Sequence, residues 1–325
     1  MLPRLTLGLA LLLLLPLPAL SAEVPEWWPR AWPNTDFSRI SVDPAEIISG
    51  GPPRDGIPAI TGPKMIPVAE EDRLDPREPV MALELPGETP RAWPVRYLMW
   101  HEIVNDEVGG IPVAVTFCPL CNSGLIFDRR VDGRVLEFGV SGLLRFSDMV
   151  MYDRQTESWW QQFEGRAIVG TLTGRKLTAL PSLLEGWKSF RTRNPQGLVM
   201  AQPEGYQRDY GTNPYAGYDS ARPFLYTGEN PPFGIDPVAR VVRIGERAWP
   251  LARLVEAGEI VEAGYRLRWE EGQASALDTR EIGKGREVGN MRVVDADTGD
   301  PVFHEVIFAF VFQAFVPDGT WMIGN

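Results

Sequence analysis

The sequence predicts a β-rich α+β protein built of two related β-meander units, with short helices and long Gly/Pro loops. Three observations predict this class. Glycine (32) and proline (30) are abundant among the 325 residues, which favours many turns and short strands over long helices. From about residue 80, short runs of β-branched and aromatic residues alternate with turn residues. Arg91-Ala92-Trp93-Pro94 also returns as Arg247-Ala248-Trp249-Pro250, each followed by a helix-like segment. A weaker echo joins Tyr152-Asp153-Arg154-Gln155-Thr156 to Val294-Asp295-Ala296-Asp297-Thr298, in the same order, as an internal duplication requires.

The chain opens with a short positive head ending at Arg4, an apolar run from Leu5 to Leu20, and small residues at Ala19-Leu20-Ser21-Ala22. Residues 1–22 therefore read as a secretory signal peptide, which makes the protein periplasmic or secreted and leaves no stable membrane anchor after cleavage. The run is short and interrupted by proline for a spanning helix. The net charge of −11 becomes more negative once Arg4 is removed, which argues against nucleic acid and anionic membrane surfaces as partners.

Residues 23–79 read as an N-terminal arm, with Trp27, Trp28 and Trp32 packing on the main body and a structured Gly/Pro loop at 48–58. A first β-rich unit follows over 80–205. It begins with a strand at 80–85, a turn at 88–94, a helix over 95–104 ending near Asn105-Asp106, and a Gly109-Gly110 turn. Val131-Asp132-Gly133 signals a hairpin. A meander continues through 143–146, 149–152 and 167–172, and 183–190 has the spacing of a short helix. Residues 206–325 hold a long Gly/Tyr/Pro loop and the second β-rich unit.

The chemistry centres on Cys118-Pro119-Leu120-Cys121, which contains the only two cysteines of the chain. Apolar runs enter and leave it, so it reads as strand, knuckle, strand, with Pro119 bending the chain so that both sulfurs lie on one side. Three chemistries suit the pair: two soft ligands for a Cu or Zn ion, thiol–disulfide exchange, or a structural disulfide. The strand flanks resemble a metal knuckle more than the helix N-terminus used by thiol exchangers. The proposed ligand set is Cys118, Cys121, His101, which lies just upstream, and Met151, which alternates with Met149 along a strand. A third possibility, from another class, is a glycan-interacting surface in the Asp153 to Trp160 region, where carboxylates and indoles cluster. Zinc-protease, nucleophile-elbow, dinucleotide and phosphate-loop signatures are all incomplete or absent.

Several separated motifs carry a resemblance. Ser49-Gly50-Gly51-Pro52-Pro53-Arg54-Asp55-Gly56-Ile57-Pro58, His101-Glu102-Ile103-Val104-Asn105-Asp106, Cys118-Pro119-Leu120-Cys121-Asn122-Ser123, Met151-Tyr152-Asp153-Arg154 and Asp209-Tyr210-Gly211-Thr212-Asn213-Pro214-Tyr215 occur in this order. Together they resemble the bacterial family catalogued as domain of unknown function 3179. The resemblance runs from about residue 48 to the C-terminus and implies an exported bacterial protein of unassigned activity. It leaves catalytic residues, substrate and protein partner open.

Overall fold

Short β-branched runs punctuated by Gly and Pro give short strands, and twenty-four of them are present in the computed structural model, which describes residues 24–324. The expected signal peptide lies outside the described residues. Five principal sheets form a five-bladed, propeller-like ring. None of the described helices is long and apolar enough to cross a membrane. The five α-helices among the described residues are short: α1 (Trp27–Ala31), α2 (Val95–His101), α3 (Trp187–Arg193), α4 (Leu251–Ala257) and α5 (Ala309–Phe315).

The protein is thus β-rich with few short helices, but the two expected units are not two self-contained meanders. What recurs is a topology spread over several sheets. In one sheet Ser182–Gly186, Pro79–Leu83, Arg91–Pro94 and Leu198–Met200 lie side by side, paired antiparallel, antiparallel, then parallel. In another, Glu305–Phe308, Arg240–Ile244, Arg247–Pro250 and Thr320–Trp321 repeat that order and those directions. Each Arg-Ala-Trp-Pro is a strand whose proline, in extended conformation, caps a seven-residue helix, α2 or α4. Helices α3 and α5 make the matching crossovers between the outer strands.

Local bonds recur as well. Trp93 Nε1 donates to Asp106 at 3.1 Å and Trp249 Nε1 to Glu262 at 2.8 Å. Three antiparallel strands then follow in each half: Ile103–Val108, Ile111–Cys118 and Ser123–Asp128 in the first, Glu259–Glu262, Tyr265–Glu270 and Asn290–Asp295 in the second. The meander expected after the knuckle is present, as Phe138–Arg145, Asp148–Asp153, Trp159–Gln161 and Arg166–Val169, but only the first half carries it.

Two helix boundaries differ from expectation. The α2 helix stops at His101, because Glu102 turns the backbone to φ 57°, so Asn105 and Asp106 lie in a strand. Residues 182–186 are a strand rather than helix, since Leu183 and Leu184 pair with the edge of Pro79–Leu83, and α3 begins only at Trp187. The segment expected as an arm is woven in. Ile47–Ser49, Ile60–Thr61 and Met65–Pro67 each join a different sheet. Trp28 and Trp32 are buried against Trp159 and, for Trp32, Tyr152.

Candidate functional site

The knuckle forms where the sequence puts it. Ile111–Cys118 and Ser123–Asp128 pair as antiparallel strands, and their apolar side chains are buried on both faces. Pro119 opens a single 3-10 turn, Pro119–Cys121, which Asn122 ends in the left-handed region (φ 49°, ψ 33°). Asparagine tolerates that conformation better than most residues, and its Nδ2 donates to Val306 O at 2.8 Å. In the second half Glu270 stands at the Cys118 position and residues 271–289 replace the four-residue knuckle.

Both thiols are free and buried. They face the hairpin that joins Phe138–Arg145 to Asp148–Asp153, with Ser147 O at 3.9 Å from Cys118 Sγ and 3.5 Å from Cys121 Sγ. The two turn residues, Phe146 and Ser147, both have positive φ (49° and 67°). That is a type I′ turn, which normally takes Asn-Gly, so each residue costs about 1 kcal/mol of backbone strain. The turn delivers Asp148 to the sulfurs. One ligand atom each from Cys118, Cys121 and Asp148 lies within 4.8 Å of the others. Asp148 Oδ2 accepts from Gln161 Nε2 (2.6 Å) and Phe163 N (3.0 Å), whereas Oδ1 is buried with no hydrogen-bond partner.

Burial dominates the electrostatics. It pushes both thiols up from their ordinary value, Cys121 further than Cys118 because the neighbouring thiol adds to the effect. It raises Asp148 to about 6, against hydrogen bonds from Phe163 and Gln161 that favour the carboxylate. Glu102 is raised to about 8 by burial and by the charge of Asp148. Four acids thus act on one another, and no cationic side chain counts among the main influences on any of them. Beside them is a cavity of about 500 Å³, which Leu120 of the knuckle, Glu102 and Met149 help to line.

The expected ligand set is only partly assembled. Cys118 and Cys121 meet, but His101 does not join them. Its Nδ1 pairs with Pro58 O at 2.6 Å and its Nε2 with Tyr210 OH at 2.7 Å, so both ring nitrogens are committed. The correction follows from the helix stop at Glu102, which starts a strand where a longer helix was expected. Met151 is a fully buried core residue facing Trp160 and Val140 across the strand register. The Met149 backbone N–H, two positions earlier, faces Cys118 instead. Trp159 and Trp160 are fully buried, and Trp160 Nε1 donates to the buried Asp153 at 2.9 Å. They are core and not sugar platforms. Asp148 and Glu102 escape sequence reasoning because no motif spacing connects them to the cysteines. Glu102 adjoins His101 in one of the shared motifs, and that adjacency was its only signal.

Neither the curated proteins nor the solved structures yield a match to the chain. A family model described as "protein of unknown function" matches residues 54–319, most of the chain including the knuckle, the strained hairpin and most of the cavity wall. The chain therefore belongs to the DUF3179 family.

Proposed function

We propose that this is an exported protein that binds a soft metal ion through Cys118, Cys121 and Asp148. The convergence of two sulfurs and a carboxylate within 4.8 Å carries the reading. Two thiols and a carboxylate, buried together with no cationic side chain among their main influences, are stabilised in their charged forms by a cation. The S₂O donor set suits Zn²⁺ better than Cu⁺, which favours sulfur alone. Export rests on the signal-type segment 1–22. The repeated topology supports an internal duplication in which only the first copy kept, or acquired, the knuckle.

Protein purified without added metal should contain about one equivalent of zinc by elemental analysis, and Cys118→Ser or Asp148→Ala should lose most of it. His101→Ala should retain it. Wild-type protein without bound metal, refractory to zinc reconstitution, would reject the reading.

One observation favours thiol–disulfide exchange as a second reading. The two sulfurs lie within 4.8 Å of each other, near enough for a disulfide to close after a small movement. Their raised pKa values oppose it, since the thiolate is the nucleophile. Metal-free protein that gains a reversible Cys118–Cys121 disulfide, read as a two-dalton mass change, would favour exchange.

A further inference from the structure

Glu102 occupies a backbone position suited to glycine. Its φ 57° and ψ −33° match Gly258 at the equivalent point of the second half, with φ 70° and ψ −44°. The flanking bonds match too. Glu102 N donates to Leu98 O and Gly258 N to Leu254 O, while each carbonyl accepts from the following strand, from Phe117 N and Trp269 N. The second half thus holds the residue this backbone prefers, and the first half holds a strained glutamate. Such strain persists where something other than stability requires the side chain.

That side chain faces the cavity. Glu102 is 8% exposed and lines the cavity wall, yet its carboxyl has no hydrogen-bond or ion-pair partner among the described residues. The walls beside it are apolar and aromatic, including Ile57, Leu120, Leu143, Tyr215 and Tyr218, with no lysine, arginine or histidine. They are also fixed. Gly142, at φ 78°, packs so closely that a Cβ would meet Pro52 O at 2.0 Å. The tyrosine wall is pinned through Asp219, which pairs with Arg240 and Arg286, and through Asn213, bonded to the 279–280 backbone.

We propose that this cavity binds a small uncharged molecule with an apolar body and one carbonyl-type oxygen, and that Glu102 holds that oxygen. An unpaired carboxyl in apolar surroundings keeps its proton and donates it in a hydrogen bond. An anionic ligand would find no counter-charge. The proposal stands apart from the metal reading, since no metal ligand is needed to form the walls.

Three probes sharing one body test it: 2-acetylnaphthalene, 2-naphthoate and 2-naphthylmethylamine, titrated by ligand-observed NMR into wild-type protein with and without a chelator. The ketone should bind about tenfold more tightly than the carboxylate, in both conditions. Glu102→Gly should raise the thermal midpoint by about 2 °C or more while weakening the ketone about tenfold. Glu102→Gln keeps a donor and should retain most of the affinity. Leu120→Trp, which fills the cavity, should abolish it. No saturable binding of the ketone, tighter binding of either charged probe, or ketone affinity unchanged in both Glu102→Gly and Leu120→Trp overturns the proposal. Metal content read on the same samples keeps the two ideas separate. Ketone binding by a protein that takes up no zinc rejects the metal reading alone, and zinc uptake without ketone binding rejects this one alone.

Discussion

Asp148 divides its work between two oxygens, one held by Gln161 and the Phe163 backbone and the other left beside the sulfurs. Burial lifts it from 3.8 to about 6. Between those values the folded protein holds a proton that the unfolded chain has released. The stability from that proton is full below about pH 4 and is lost as pH rises through 6, on the order of 3 kcal/mol. Glu102 adds the same sign, from 4.5 up to about 8. Asp148→Asn cannot ionise, so metal-free variant protein should show a flatter stability profile between pH 4 and 6 in urea melts. An identical slope in variant and wild type would show that Asp148 is not held neutral. Zinc should act in the opposite sense, since its ligands must be deprotonated and its affinity therefore falls with falling pH.

Single elements here are shaped by backbone positions that allow few residues. The strand Phe138–Arg145 shifts register between Val140 and Leu143, and Gly142 sits in that irregularity at φ 78°. Gly50 N donates to Gly142 O at 2.8 Å and Asp55 N to Val140 O at 2.9 Å, so the Gly/Pro loop lies directly on the strand. Gly142→Ala should cost roughly 2–4 kcal/mol, through its positive φ and the clash with Pro52 O. A thermal melt within a degree of wild type would show that the loop can move aside, and that the cavity wall is less fixed than argued. The loop is held further along by Asp55, which accepts from Tyr152 OH (2.5 Å) and pairs with Arg154 (3.0 Å). Arg54 stacks between Trp32 and Tyr152 and pairs with Glu157 at 2.8 Å. Arg54, Asp55, Tyr152 and Arg154 belong to two of the shared motifs, which the fold brings into contact.

Across the whole molecule the two copies of the topology are interlocked. Glu305–Phe308 of the second lies against Ser123–Asp128 of the first, and Asn122 bonds to Val306. Gly186 N donates to Asn290 Oδ1 at 2.7 Å, and the fully buried Glu185 is shared by Arg193 and Arg292. Because breaking these contacts leaves buried polar groups unpaired, neither copy should unfold alone. Calorimetry should show one transition for residues 23–325. Two resolved transitions, one of them insensitive to Asn290→Ala, would mean that the copies are independent domains.

The sequence by itself determined what depends on near neighbours along the chain. The β-rich class, the strand–knuckle–strand at Cys118 to Cys121, the Asp132-Gly133 hairpin and the matching elements after Trp93 and Trp249 all follow from local period and turn chemistry. The five-sheet arrangement was not legible, because partner choice among short strands depends on burial against distant segments: Ser182–Gly186 pairs with a strand about a hundred residues earlier. The candidate site was legible only in its two sulfurs. His101 and Met151 were chosen for their chemistry and nearness in sequence, whereas the tertiary structure turned His101 toward Pro58 and Tyr210 and kept Met151 in the core. It brought in Asp148 and Glu102 instead, by a strained hairpin and a strained helix end. Neither position is marked by a glycine, the residue that would have announced such a turn, and only the folded chain shows what those side chains meet.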